Sequence, residues 1–418
     1  MILVIAFGAL ALLSIVLLAW QVLAAAKFPI HQREPDLSFA PPVTIFKPLK
    51  GCDEHTRECL RSWLAQHYAG PLQFLFGVAD ERDPVCGVVR SLLKEFPSAN
   101  AELVITAETI GANAKVGNLV QLYRRSLAKS AKAAKEGMVS SPSRSSRDLI
   151  CISDADVRVP ADLLANAVAL FRDARIGLVN SFYQLANPTT FAMHVEAVAI
   201  NADFWSQVLQ ANTLKRQDFA LGAVMITRLE HVDALNGFAD LADYLADDYQ
   251  LGNHVAKSGA RVELASVVVE CWHPSASWRH VWDHQLRWAR TIRISQPWPY
   301  FFSVLSNVSL WVVLAAAMTG SHIVYRVAPG YPWHVDPKWL LGSLLLLVFG
   351  LGARVGGAKE LAERLTRKPF PWRLSGAVIV KDSLQFGIWI AAFCGNKVSW
   401  RGRTFRVQRD GKFVEITR

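Results

Sequence analysis

Leu149-Ile150-Cys151-Ile152-Ser153-Asp154-Ala155-Asp156 decides how this chain folds. Four apolar residues, two of them β-branched, run into a turn that bears two carboxylates one residue apart. A short continuous apolar run of this kind suits a strand buried on both faces. In open α/β sheets, ligands bind at the carboxyl ends of such strands. Upstream, Val43-Thr44-Ile45-Phe46 reads as a strand followed by a Lys47-Pro48-Leu49-Lys50-Gly51 loop. Leu72 to Ala79 reads as a second strand ending at Asp80, and Glu102 to Thr106 as a third. These runs alternate with helical patterns from about Pro41 to Arg290, which predicts an α/β domain with a largely parallel sheet covered by helices. Asp80, Asp83, Asp154 and Asp156 all fall at or just beyond strand ends.

The chain has 418 residues, room for two or three units at roughly 100–200 residues each. Apolar residues make up 52% and charged residues 19%, which excludes global disorder. With 25 Gly and 6 Cys, neither a collagen nor a disulfide scaffold fits. No two of Cys52, Cys59, Cys86, Cys151, Cys271 and Cys394 form a CxxC pair, so no thiolate zinc site is indicated and a reducing compartment fits. The net charge of +10 would suit nucleic acid, an anionic bilayer or a phosphate-bearing substrate. The basic residues flank apolar spans instead of striping a soluble domain, so no nucleic-acid partner is expected.

Met1 to Ala26 holds no charged side chain, and about 20 helical residues cross a bilayer. Ala24-Ala25-Ala26 would serve as a signal cleavage site, but there is no basic n-region and the run exceeds a signal core of ~7–15 residues. Residues 1–26 are therefore expected to be an uncleaved anchor. Lys27 and Arg33 follow it, which puts the next domain in the cytoplasm. Ser295 to Tyr325 is also free of charge, and the run between Lys338 and Arg354 is short for a crossing. Leu374 to Asn396 carries Lys381 and Asp382, costly at membrane depth unless paired or wet. Neighbours on a helix do not face each other. That segment is therefore expected to tilt, to re-enter, or to enter the bilayer only after Asp382. Three crossings would put the basic tail outside, although Lys397, Arg401, Arg403, Arg406, Arg409 and Lys412 belong inside. A re-entrant last segment removes that conflict. The expected organisation is an anchor at 1–26, a cytoplasmic domain at 41–290, a membrane region at 291–396 and a basic tail at 397–418. The setting is multi-pass in a membrane, the bacterial inner membrane. Lys129 to Arg147, rich in Ser, Lys and Ala, reads as a flexible basic insertion. Phe191 to Leu209 reads as a helix of the core or of the membrane surface, with Glu196 and Asp203 arguing against a span.

Three groups carry chemistry. Asp154 and Asp156 can present oxygens to a hard divalent cation, Mg²⁺ or Mn²⁺, shared with substrate phosphates. Asp247-Asp248 is either a charged helix start or a general base whose like-charged neighbour raises its pKa. His284-Gln285-Leu286-Arg287-Trp288-Ala289-Arg290 is either an interfacial belt, to which Arg290 and Arg293 would also belong, or a forked cation beside a stacking ring, suited to phosphate.

In this order the elements resemble membrane-bound inverting glycosyltransferases of the GT-A fold. They are most similar to the ceramide glucosyltransferase family, over Met1 to about Arg406. The likeness rests on Lys47-Pro48-Leu49-Lys50-Gly51, Asp80-Glu81-Arg82-Asp83-Pro84 and Gly111-Ala112-Asn113-Ala114-Lys115-Val116-Gly117-Asn118-Leu119. It continues through Asp154, Ala246-Asp247-Asp248-Tyr249, Arg287-Trp288 and Ser399-Trp400-Arg401-Gly402-Arg403. Leu245 to Tyr249 and Leu286 to Thr291 also resemble bacterial hopanoid glycosaminyltransferases. The resemblance implies a GT-A-type α/β domain with N- and C-terminal transmembrane helices. It implies transfer of one sugar, glucose, from a UDP-sugar to the hydroxyl of a membrane lipid, ceramide. It puts Lys47, Asp80, Asp83, Lys115, Asn118 and Asp154 on the nucleotide-sugar, and Asp154 with Asp156 on the divalent metal. Asp248, Asp247, Arg287 and Trp288 would be catalytic. The alternatives are N-acetylglucosamine transfer to a hopanoid, a processive polysaccharide synthase, and a non-catalytic lipid-binding scaffold. Two departures stand out: His284 occupies a position the family fills with Gln or Arg, and Asp156 supplies a second carboxylate that ceramide enzymes often lack.

Overall fold

A computed structural model describes residues 2–135, 148–325, 337–400 and 402–416. The four strands read from the sequence are present: β1 (Val43–Leu49), β2 (Leu72–Val78), β3 (Ala101–Ile105) and β4 (Leu149–Ser153). β5 (Val157–Arg158), β6 (Ile176–Leu185), β7 (Val224–Arg228) and β8 (Arg261–Cys271) complete one sheet in the order β3-β2-β1-β4-β7-β6-β8-β5. The pairings β3–β2, β2–β1, β1–β4 and β6–β8 are parallel, and those of β4–β7, β7–β6 and β8–β5 antiparallel. This is the expected α/β class, a mostly parallel sheet flanked by helices. Apolar layers cover both faces. Ile45 and Cys151 point into one, while Phe46, Ile150 and Ile152 point into the other. Burial on both faces is why β4 is a run of apolar residues without alternation.

One expectation needs correction. Lys47-Pro48-Leu49 is not loop but the end of β1, and Lys47 is fully buried. Proline is rare inside a sheet because it lacks a ladder donor. Pro48 is tolerated because the β1–β4 pairing ends at Phe46 and Ile152, while Pro48 itself lies opposite Gly77 of β2.

The chain divides into two compact units that interleave in sequence. The sheet belongs to Pro29–Asn187, Lys215–Ser275 and Trp400–Arg418. The other unit, Met1–Phe28, Pro188–Leu214 and Ala276–Ser399, is helical and apolar. The segments Pro188–Leu214 and Ala276–Arg290 thus cluster with the apolar helices, and the tail from Trp400 with the sheet. There, Arg403–Val407 pairs antiparallel with Phe413–Glu415, and Lys412 bridges to Tyr244.

In the helical unit, three described helices are long and apolar enough to cross a membrane: Ile2–Lys27, Leu341–Thr366 and Trp372–Phe393. The run after Lys338 is longer than expected because its helix continues through Arg354, as Pro337–Thr366. Pro297–Ser306 and Val308–Gly320 make a further pair, bent by 56° at Asn307. The segment expected over Phe191 to Leu209 is helical but changes pitch, with a π turn at Ala199–Phe204 between Phe191–Val198 and Trp205–Asn212.

Lys381 and Asp382, adjacent in sequence, are both buried and meet through shared partners. Arg354 donates to both carboxylate oxygens of Asp382 at 2.8 Å and to Asp203 at 2.8 Å. Lys381 pairs with Asp203 and lies 3.2 Å from Asp382. Two cations and two carboxylates thus neutralise one another inside the apolar unit, which removes the cost expected of lone charges there. The expected insertion at Lys129 to Arg147 begins as the end of helix Ala114–Lys135, and residues 136–147 lie outside the described residues. Arg401 of the tail does too.

Candidate active site

The carboxyl ends of β1, β2, β4 and β8 supply the polar side chains of the sheet unit. Lys47, at the end of β1, does not face outward. Its Nζ donates to Ser153 Oγ at 3.2 Å and to the carbonyl of Asp154, and it lies 4.8 Å above the Trp63 ring. Burial pushes its ammonium down to about 8 against the pull of Asp154. The side chain expected on the donor instead holds the turn between Ser153 and Asp154 from beneath.

Helix Ala114–Lys135 brings Lys115 into the same turn. Asn113 caps this entry, its Oδ1 accepting from Lys115 N at 3.0 Å and its Nδ2 donating to the Tyr244 carbonyl at 2.8 Å. Lys115 Nζ lies 2.8 Å from Asp154 Oδ1 and 3.2 Å from Asp247 Oδ2. Burial would lower this ammonium, but Asp154 and Asp247 outweigh it and hold it above the ordinary lysine range. One cation therefore joins the strand-end carboxylate to the late acidic pair, roughly 90 residues on in the chain. The Lys115–Asp247 pairing is largely removed from water, which strengthens it, whereas Asp154 keeps part of its carboxylate exposed.

Asp247 and Asp248 open helix Asp247–Lys257, where first-turn carboxylates oppose the helix dipole favourably. The helix-start reading of these residues is what the structure shows, and it leaves both carboxylates at the N-terminus of that helix. Burial, then the charge of Asp247, pushes the Asp248 carboxyl up to about 6. Gly222 lies against it: a Cβ there would sit 2.7 Å from Asp248 Oδ2, so a larger residue would displace the carboxylate. The loop before the pair is tied to the tail. Phe413 N donates to the Asp243 carbonyl at 2.9 Å, and the Lys412 ammonium lies 5.7 Å over the Tyr244 ring.

Asp156 has a partner that sequence reasoning missed. His273 Nε2 lies 3.0 Å from Asp156 Oδ2. His273 is fixed by Asn187, which accepts from its N at 3.0 Å and donates to its carbonyl at 2.9 Å. The available signal was its place two residues beyond β8, another strand end. Burial opposes ionisation of Asp156, but His273 wins and holds its carboxyl below the usual range. Burial pushes Asp154 the other way, up.

The remaining expected donor residues scatter in role. Asp80 is exposed and held below the usual carboxylate range by the backbone N–H and side chain of Arg82. Asp83 is a fastener: Oδ2 accepts from Gly51 N at 2.8 Å and Oδ1 from Val85 N at 3.0 Å. Asn118 turns to the backbone of β2, donating to the Gly77 carbonyl at 2.8 Å. A Cβ at Gly77 would fall 1.9 Å from Asn118 Oδ1, so a larger residue there would displace the Asn118 amide.

Arg287 and Trp288 lie on helix Trp278–Ser295 of the helical unit. Trp288 is 4.7 Å from the His284 ring and 6.0 Å from Phe204. His284 Nδ1 is 2.6 Å from Glu196 Oε1, and Gln285 Nε2 donates to the same oxygen at 3.0 Å. Glu196, expected only to interrupt a span, thus organises the motif helix. Arg290 donates to the carbonyls of Ala391 and Lys397. It thereby ties helix Trp278–Ser295 to the last turn of helix Ser375–Phe393 and to the chain just beyond it.

Among the described residues no group of three or more His, Cys, Asp or Glu is gathered to hold a metal. The turn offers the two carboxylates of Asp154 and Asp156. That set suits Mg²⁺ or Mn²⁺, which keep waters and take one or two carboxylates plus substrate phosphates.

A family model described as Glycosyl transferase family 21 matches residues 6–130 and 136–413. Ceramide glucosyltransferase 3 of Caenorhabditis elegans is 25% identical over 300 residues, covering 71% of this chain and 55% of that protein. Ceramide glucosyltransferase of Candida albicans is 26% identical over 208 residues, 46% of this chain and 32% of that protein. The chain spans about half the length, or less, of these curated relatives. Among solved structures, mannosyltransferase PcManGT from Pyrobaculum calidifontis, in complex with GDP-Man and Mn2+, aligns over 94% of this chain and 97% of that one. Its identity is 19% and its TM-score 0.48. S. aureus TarS 1-349 in complex with UDP-GlcNAc aligns over 90% and 99%, at 11% identity and a TM-score of 0.36.

Proposed function

From the premise that this chain belongs to glycosyl transferase family 21, we propose that it moves one glucose from UDP-glucose to the hydroxyl of a membrane lipid, ceramide, with inversion. The setting is the cytoplasmic face of a bacterial inner membrane. The observation that carries the reading is the Lys115 ammonium, which holds Asp154 and Asp247 on one centre and leaves Asp248 beside them with a raised pKa. A buried carboxyl raised toward neutrality beside a fixed cation is suited to take up a proton in a reaction.

Asp248 is the base. It takes the proton of the lipid hydroxyl as that oxygen forms a bond to the anomeric carbon. The bond from the anomeric carbon to the β-phosphate oxygen breaks, and UDP leaves with the electron pair. A single displacement turns an α-linked donor into a β-glycoside. Asp154 and Asp156 would hold a divalent cation, which supplies charge to neutralise the leaving diphosphate. Lys47 fixes their turn, and Lys115 holds Asp154 and Asp247 on one centre. Asp80 serves the uridine. Arg287 supplies a permanently charged fork for the diphosphate, while Trp288 packs on His284 and Phe204. The candidate spans supply the bilayer setting that a lipid acceptor requires.

The deciding test incubates the full chain in lipid nanodiscs with UDP-glucose, Mg²⁺ and a short-chain ceramide, and reads products by mass spectrometry. One added hexose per lipid supports the proposal. A polymer, or UDP release with no glycolipid, would overturn it.

A further inference from the structure

Asn180 is a polar side chain inside the largely apolar strand β6, and it is 1% exposed. A buried amide persists where its hydrogen bonds are made. Its Nδ2 donates to the Glu263 carbonyl of β8 at 2.8 Å, a tie within the sheet. Its Oδ1 reaches out of the sheet: it accepts from Leu221 N at 3.1 Å and from Gln217 Nε2 at 3.2 Å, both in the loop before β7. Gln217 Nε2 also donates to the Phe219 carbonyl at 2.8 Å, which closes the loop on itself. One strand residue therefore pegs the loop from beneath.

The other side of this loop meets helix Asp247–Lys257. Gly252, one turn beyond Asp248, lets the two backbones touch: a Cβ there would fall 2.2 Å from Ala220 N and 2.4 Å from the carbonyl carbon of Phe219. Asn253 Nδ2 donates to the Asp218 carbonyl at 3.4 Å, and the Phe219 ring stacks on Tyr249 at 6.4 Å and 13°. Gly222 ends the loop, and its missing side chain leaves the space beside Asp248 Oδ2. Asp248 Oδ1 accepts from Tyr249 N at 2.7 Å. The loop backbone is thus one wall of the seat in which this carboxylate rests, and Asn180 sets where that wall stands.

We propose that Asn180 is a positioning residue: through the loop 217–222 it holds Gly222 against Asp248 and so fixes the carboxylate that takes the acceptor's proton. This deepens the reading of Asp248 as the base and rests on it for the reaction, while the clamp itself rests on the hydrogen bonds and the glycine contacts.

The test compares Asn180→Leu, Gly222→Ala and the two combined, in the full chain in nanodiscs. It reads kcat and donor KM, and separately the amide exchange of single residues without substrates. Each single variant should lower kcat about 10- to 100-fold, the cost of a misplaced reacting group, with donor KM little changed. Both displace the same carboxylate, so the double variant should be no slower than the slower single, whereas independent effects would multiply. Asn180→Leu should quicken exchange at Leu221 and also at Tyr249, whose N–H donates to Asp248. Asn180→Asp, its buried carboxyl kept protonated, retains an acceptor and a donor and should restore the rate. Gln217→Leu removes a loop bond and leaves the sheet intact; it should change kcat in the same direction and stands in if Asn180→Leu does not fold. Multiplying losses, a kcat loss matched by an equal rise in donor KM, or unchanged exchange at Tyr249 would overturn the proposal. Coupled exchange at Leu221 and Tyr249 in a chain that transfers no sugar would support the clamp and sink the transferase reading instead.

Discussion

The imidazole of His284 lies 2.6 Å from the buried carboxylate of Glu196, and the same oxygen accepts from Gln285 on the next residue. Two consecutive residues of the motif helix are thereby held by one carboxylate from a different segment. Since His284 packs on Trp288 at 4.7 Å, Glu196 acts on the Arg287-Trp288 motif through it. Glu196→Gln keeps the shape but removes the charge that orients the imidazole. It should lower kcat by about 10-fold with little change in lipid KM, the expectation for a lost charge-assisted hydrogen bond. Arg287→Ala should cost more, about 100-fold in kcat, if it stabilises the departing diphosphate. Steady-state rates for both variants check this. An Arg287→Ala enzyme at full speed would leave the motif with packing alone.

A base works only once its proton is gone. Asp248, pushed up to about 6, is therefore poised just below neutral pH. Under limiting acceptor, kcat/KM should fall about 10-fold per pH unit below that value and level off above it. Asp248→Asn should bind UDP-glucose normally in a calorimeter and show no turnover. Measurable turnover that still follows the same acid limb would remove Asp248 from the role.

Lys47 offers a different pH signature. Its ammonium is held at about 8, below the ordinary lysine value of 10.5. Between those values the unfolded chain binds a proton that the folded one lacks, so this group makes the fold more stable as pH rises across that window. Lys47→Met should flatten that rise in denaturant melts compared at pH 8 and 10. It should also loosen the turn at Asp154 and weaken Mg²⁺-dependent donor binding several-fold. Unaltered donor affinity would mean the turn holds its shape without the buried cation.

Much of the site was legible because strands ending in acidic residues announce themselves. β4 and the Asp154–Asp156 turn were read from eight residues, and Asp247-Asp248 stood out as an acidic pair that could equally begin a helix. What escaped were side chains whose partners come from remote segments. Lys47 reads as a loop cation beside Pro48, because nothing local shows that β4 stops pairing at Ile152. His273 follows a long mixed strand with no motif around it. Lys381 and Asp382 look unaffordable in an apolar helix until Asp203 and Arg354 arrive from elsewhere in the chain. The antiparallel pairings β4–β7, β7–β6 and β8–β5 were also not legible, since pairing direction depends on connections that one strand's residues do not encode.

The tail is a structural brace as well as a basic segment. Its strand residue Phe413 bonds to Asp243, and Lys412 bridges to Tyr244, immediately before the acidic pair. Removing residues 410–418 should free that loop and lower kcat while leaving the sheet folded. Hydrogen exchange should show faster exchange confined to 242–249. Protection unchanged over that loop would show that the tail does not steady it.

Arg354 gives the most stringent prediction for the helical unit. It donates three hydrogen bonds at 2.8 Å to Asp203 and Asp382, and Ser309 and Asn307 bond the latter as well. Taking away one partner leaves an uncompensated buried charge, which costs about 3–5 kcal/mol. Arg354→Leu should therefore lower the thermal midpoint sharply in detergent. Arg354→Leu combined with Asp382→Leu removes a cation and an anion together, leaving Lys381 with Asp203. The double variant should recover at least half of the loss, since replacing an ion pair by apolar groups is close to neutral. Equal destabilisation by the single and double variants would mean that Arg354 acts through packing of its long side chain, with its charge contributing nothing.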